Sequence, residues 1–291
     1  MRALAGFLLV FTLRADQLTQ QMAARVSEEA EAFLRVAPQM LGRETLHQKA
    51  LKPPRRFRPR AGASAVAPPA EEWQERELVS EYGFANIGTS LHELRQVISV
   101  DGRKVTDPRK AQDSLARAIV SKDTERLKEA LQQLEKYGLR GAATDFGQVL
   151  LLFTRREIDR YEFVARGPNS LNGETVLVFS YKQLDGPESL TVVQADKRGQ
   201  TQRFRAEGEI WTRPDFVPVR ITIAANEGMG NASRREEASV DYKMSDYGAL
   251  LPVATSHREV LAGKRTAENL FTYSEFRKFG ASSDIKFEVQ K

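Results

Sequence analysis

The chain has no cysteine among its 291 residues. That excludes thiolate nucleophiles, disulfides, cysteine-ligated zinc, iron–sulfur clusters and a lipidated N-terminal cysteine. Histidine is nearly as scarce. His47, His92 and His257 are the three present, none within eight residues of another. A His-x-x-x-His metal site is therefore missing. Each of the three falls on a predicted strand and reads as a sheet-surface imidazole. There is no Gly-x-Ser-x-Gly elbow and no Gly-Lys-Ser/Thr phosphate loop. Gly228-Met229-Gly230 lies between predicted strands, where a turn is expected, and not ahead of a helix as a dinucleotide loop requires. No catalytic residue, metal ligand or cofactor is called, and no repeat of fixed period is visible.

Long apolar runs are also missing, with one exception at the N-terminus. Arg2 precedes the apolar stretch Ala3 to Leu13, which ends in Arg14-Ala15. One cation, a short apolar run and a small residue describe a secretory signal peptide, here with cleavage after Ala15. The run is short for a membrane-spanning helix. A buried N-terminal helix is the alternative. Cleavage would remove two arginines and no acid, taking the net charge from +5 to +3. What remains of the basic balance is local: Lys52, Arg55, Arg56, Arg58 and Arg60 lie in one Pro-rich stretch without an acid. Residues 52–72 read as a mobile loop, placed either for contact with an anionic membrane surface or simply as a solvated loop in a long hairpin. Cations do not gather around Trp211, Phe216 or Tyr242, so base stacking and nucleic-acid binding are not expected.

What is present is chiefly alternation. Leu18, Met22, Val26, Ala30 and Phe33 mark a helix over 17–37, with Glu28, Glu29 and Glu31 on its other side and Pro38 at its end. Strands follow at 43–51, 77–86, 91–100 and 103–105, with a tight turn at Asp101-Gly102. Asp107 and Pro108 open a helical insert over 107–153. Ala111, Leu115 and Ile119 line one face of it, then Leu127, Leu131 and Leu134. A third short helix is expected at 145–153. From 157 onward the chain reads as consecutive strands at 157–166, 174–184, 190–195, 202–213, 217–225, 235–244, 250–261, 265–277 and 283–289. Gly167-Pro168 and Ala262-Gly263 are among the turn signals. Thr175 to Tyr181 is apolar on both faces and should be central. Glu207 with Glu209, and Glu236 with Glu237, read as solubilising charges at sheet edges.

The order of export signal, helix, strands, helical insert and long antiparallel meander resembles the periplasmic lipoprotein-carrier (LolA/LolB-like) superfamily. Two stretches carry the likeness: Gly208 to Ile221, an aromatic-tipped strand followed by a return strand with alternating valines, and Phe271 to Ala281, an aromatic run ending near a glycine. The resemblance also extends to uncharacterised exported bacterial proteins. It implies an α+β fold: a curved antiparallel sheet forming an incomplete β-barrel of about eleven strands, with helices covering the open face. Residues 16–291 would make one such half-barrel domain, with 107–153 as its lid. It further implies an apolar cavity for an acyl chain, hence a soluble protein of the periplasm or cell envelope that binds a lipid or acylated protein and performs no covalent step. Phe163, Phe179, Tyr181, Trp211 and Phe271, all strand aromatics, are the candidates to line it. The alternative is a solidly packed sheet that docks an envelope protein through an exposed edge or the basic loop.

Overall fold

A computed structural model describes residues 3–52, 71–88, 90–121, 126–127, 130, 133–137, 146–184, 190–193, 201–227 and 233–279. Helix α1 spans Ala3–Val36 and runs into a 3-10 turn at Ala37–Gln39, where Pro38 cannot continue the α-helix. The helical stripe is buried from Met22 onward through Val26, Ala30 and Phe33. Glu29 departs from the expected polar face: its side chain is buried beside Arg25 at 2.5 Å. A stripe this wide leaves too little helix surface for every carboxylate to face water.

Strands follow as β1 (Met40–Leu51), β2 (Trp73–Ile87), β3 (Ser90–Val100), β4 (Arg103–Lys104), β5 (Tyr161–Leu171), β6 (Glu174–Gln183), β7 (Leu190–Val193), β8 (Thr201–Phe204), β9 (Glu207–Thr212), β10 (Pro218–Glu227), β11 (Arg234–Met244), β12 (Leu250–Leu261) and β13 (Lys264–Lys278). Eleven of them form one antiparallel sheet in the order β4-β3-β2-β1-β13-β12-β11-β10-β9-β6-β5. The sheet is open and curved, with β4 and β5 as its two edges. Its seam joins distant parts of the chain, since β1 pairs with β13 from Met40↔Lys278 to Ala50↔Ala267. The fold is α+β, as the strand pattern and the resemblance led one to expect.

Helix α1 lies against the inner face, packed with Leu46, Leu78, Tyr82, Phe84, Phe271 and Tyr273 in one core. The segment from Phe146, with a 3-10 turn at Val149–Phe153, covers the same face. The rest of the helical insert is placed differently. Helix α2 (Pro108–Ser121) sets Leu115 and Ala118 against Leu41, Ala85 and Leu94, which point to the outer face. A short helix at Gln133–Lys136 then returns Leu134 to the inner core. The insert thus packs on both faces of the sheet beside β3, while the edge strand β4 stays exposed.

Several strand expectations need correction. Gly167-Pro168 does not end a strand. β5 continues through it with a register shift and Gly167 at φ 98°, and turns only at Asn172-Gly173, where φ is 54° and 85°. An edge strand tolerates proline and a bulge because its outer N–H groups need no partner. Asn-Gly is the residue pair that a two-residue hairpin turn favours. Residues 202–213 form two strands: β8 pairs only with β7, and β9 joins the main sheet. β6 is apolar on both faces, yet it is second from the edge, because Trp211 and the chain around Gly167 cover its outer side in register. The expected strand at 283–289 lies outside the described residues, as do Leu131, Asp145 and the Gly228-Met229-Gly230 turn.

Candidate functional site: the inner face of the curled sheet

Alternation along each strand sends every second side chain inward. On β5, β6, β9 and β10 these are apolar or aromatic except for the buried Gln183 and Thr212. Phe153, from the covering segment, stands 4.9 Å from the Tyr181 ring, 5.3 Å from Tyr161 and 5.9 Å from Phe163, centroid to centroid. Phe179 and Phe216 meet at 6.2 Å nearby. Such tilted and edge-on pairs are the favoured aromatic arrangement. The Tyr181 hydroxyl donates to the Thr222 carbonyl at 2.8 Å. It passes over Gly208, where a Cβ would lie 2.0 Å from that same oxygen. Burial drives the Tyr181 phenol well above its ordinary pKa, with Tyr161 adding to the effect.

On β3, β2, β1, β13, β12 and β11 the same inner face carries polar groups. Arg95 grips Glu44 with two bonds of 2.7 Å and Glu93 with a third of 2.7 Å. Tyr82 donates its hydroxyl to Glu93 at 2.9 Å. The guanidinium sits 5.3 Å from the Tyr82 ring centroid and 5.7 Å from that of Phe271. Burial alone would lower the Arg95 pKa, but Glu44 and Glu93 outweigh it and hold the cation firmly charged. Tyr82 and Tyr273 are both pushed far up, by burial first and by Glu93 second.

Further along, Gln48 donates its amide to Asn269 at 2.7 Å, and Asn269 faces Nδ1 of His257 at 2.9 Å. His257 Nε2 lies 2.6 Å from Glu236, which also accepts from Arg234 at 2.8 Å, and Arg234 reaches Glu259 at 2.8 Å. The chain of donors decides the tautomer. With its oxygen occupied by Gln48, Asn269 presents NH2 to Nδ1, so the ring hydrogen sits on Nε2 and goes to Glu236. Phe146 stacks on the imidazole at 5.0 Å. Two sequence expectations fall here. His257 and Glu236 are not surface groups; both are buried, on strands flanked on each side. Their polarity is satisfied by neighbours, which is what burial of such groups requires. Both His257 nitrogens are engaged by neighbouring side chains. His47 is exposed and His92 half-buried.

Of the five aromatic candidates, Phe179, Tyr181 and Phe271 are buried on the inner face, and Phe163 is half-buried against the same core. Phe163, Phe179 and Tyr181 share the aromatic end. Phe271 lies apart, stacked on Tyr273 at 6.4 Å beside Arg95. Trp211 points the other way, half-buried on the outer face, with Nε1 donating to Glu209 at 2.9 Å. Lys52 is exposed and paired with Glu72 at 3.0 Å across the start of the β1–β2 hairpin. Arg55, Arg56, Arg58 and Arg60 lie outside the described residues.

Sequence reasoning missed Glu44, Gln48, Glu93, Arg95, Arg234, Glu259 and Asn269. One signal was there: Glu44 and Gln48 fall in phase with Leu46 and Ala50, which face inward. Among the described residues, no group of three His, Asp or Glu side chains is placed to hold a metal ion. No helix among them is long and apolar enough to cross a membrane.

No protein-family model and no curated protein matches this chain. Among solved structures it is similar to a DUF1329 family protein from Desulfovibrio piger, at 10% identity and TM-score 0.36, over 91% of this chain and 98% of the other. It is similar to a Vibrio parahaemolyticus domain assigned to outer membrane lipoprotein sorting, at 11% identity and TM-score 0.36, over 90% and 95%. It is also similar to a LolA superfamily protein from Nitrosomonas europaea, at 12% identity and TM-score 0.31, over 89% and 94%.

Proposed function

We propose that this protein is an exported, non-catalytic carrier that receives the acyl part of a lipid or acylated protein at the aromatic end of the inner face. The observation that supports it is the manner in which that end is closed. The covering segment is anchored at one side, where Tyr242 donates to the Gly147 carbonyl at 2.9 Å and accepts from Leu150 N–H at 3.2 Å. At its other side Phe153 sits fully buried among Tyr161, Phe163 and Tyr181. A phenyl ring held by dispersion is the kind of group that an acyl chain replaces at little net cost. Phe163, Phe179 and Tyr181 would then line the chain's path, with Phe271 and Trp211 serving other contacts. The basic residues Lys52, Arg55, Arg56, Arg58 and Arg60 would meet anionic headgroups at delivery. The reading agrees with the lipoprotein-sorting assignment of the Vibrio neighbour without resting on it.

The test is lipid extraction and mass spectrometry of protein recovered from its host envelope, with N-terminal sequencing of the same sample. The expected result is stoichiometric acyl lipid and a chain starting at Asp16. Protein that is lipid-free and fails to take up a fluorescent fatty acid would sink the reading. A second reading, a packed module that docks an envelope protein, is favoured by the filled inner core. Deleting 53–70 separates the two, because acyl uptake survives that deletion and docking through the basic loop does not.

A further inference from the structure

The outer face carries a feature that acyl carriage does not use. Across β5, β6, β9, β10, β11 and β12 there is an open trough of about 640 Å3. Its floor includes the hydroxyls of Ser180, Thr222, Ser239 and Ser256. Thr222, Ser239 and Ser256 stand directly beside one another in register on three neighbouring strands. Serine is a poor strand former, and at half-buried outer positions valine, threonine or tyrosine would serve the sheet better. Short side chains there lower the floor between longer ones. Four glutamates and four cationic side chains line the walls, so the lining is electrically neutral. Arg166 is held by Ser180 at 2.9 Å and Arg235 by Glu237 at 2.5 Å. Among the described residues, Ser239, Ser256, Glu162 and Lys182 make no side-chain hydrogen bond of their own.

We infer that this trough binds a neutral, polyhydroxylated ligand, an oligosaccharide. A balanced wall gives no long-range attraction to polyanions or polycations. Donors and acceptors alternate at close spacing, which suits sugar hydroxyls that both give and receive hydrogen bonds. The strands lie about 4.8 Å apart, so the row of hydroxyls offers a polar contact at each step across the sheet. The large apolar groups that line the trough are Val164 at its rim and the buried Ile223 and Tyr181. The inference is independent of the inner-face reading.

The experiment is calorimetric titration of the full chain with maltotetraose, cellotetraose and chitotetraose, at low and high salt. Saturable binding of at least one, unchanged by salt, is expected. Ser239→Phe and Ser256→Phe fill the floor from half-buried outer positions. Each should weaken binding by about tenfold or more, the equivalent of losing one good hydrogen bond, while the thermal midpoint stays within a few degrees of wild type. Absence of saturable binding by all three sugars overturns the inference. So does binding that high salt abolishes, or binding that survives both substitutions.

Discussion

One sheet face is built in two ways. From β3 to β11 its inner side is a string of hydrogen bonds, from Arg95 and its two glutamates to the Gln48–Asn269–His257–Glu236–Arg234 series. From β10 to β5 it is chiefly rings and aliphatic groups. The first half is directional, and its polar groups are held by specific partners, most of them by two. The second half is not, and its contacts are interchangeable with those of any apolar group of similar shape. The difference separates the parts of the molecule that must stay from the part that can give way. The covering segment bridges both: at Gly147 a Cβ would meet Glu93 at 2.4 Å and Tyr82 at 2.9 Å, and at Phe153 the chain ends among aromatics.

The comparison breaks most sharply at Arg95. Arg95→Ala leaves Glu44 and Glu93 buried without a cation, and should cost about 4 kcal/mol in urea unfolding. A loss under about 1 kcal/mol would show that water or rearrangement replaces the guanidinium, and that the polar half is not rigid. Phe153→Ala should cost about 3 kcal/mol. Unlike Arg95→Ala, it should raise the uptake of a fluorescent fatty acid by folded protein. Lower uptake would mean that Phe153 belongs to the site and does not plug it. Tyr181→Phe removes one hydroxyl bond to Thr222 and keeps the ring. About 1 kcal/mol of stability should go, with acyl uptake unchanged.

The smallest effect is expected at Glu29, whose carboxyl is pushed above its ordinary value of 4.5 by burial, against the pull of Arg25. A raised folded pKa means that the contribution is fully present below the unfolded value and is lost as pH rises through the folded one. Glu29→Gln should therefore be neutral to stabilising at pH 7, by less than about 1 kcal/mol. That difference should shrink to nothing below the ordinary carboxylate range. Urea titrations at both pH values check it, and a variant less stable at pH 7 would show that the Arg25 pair outweighs burial.

How much of this was legible in the sequence depends on how far each feature reaches along the chain. The α1 stripe, the Asp107–Pro108 helix start and the Asp101-Gly102 turn need only neighbouring residues, and all three were readable. Asn172-Gly173 was readable by the same logic and was passed over in favour of Gly167-Pro168, because proline is a breaker everywhere except at an edge, and edges are not visible in one strand. His257 and Glu236 were misplaced for a related reason. A lone polar residue in a strand is outward by default, and only a partner reverses that. Their partners come from other strands, and Gln48 and Asn269, in the same series, are 221 residues apart.

By itself, then, the sequence determined the alternation of most strands and the helix that fills the curl, since these follow from periodicity and local conformational preference. The meeting of β1 with β13, the two-part inner face, the packing of the helical insert on both faces beside β3 and the neutral trough outside were decided by tertiary structure alone. Each depends on which strands become neighbours. Pairing energy is spread over whole strands, so no short segment specifies its partner.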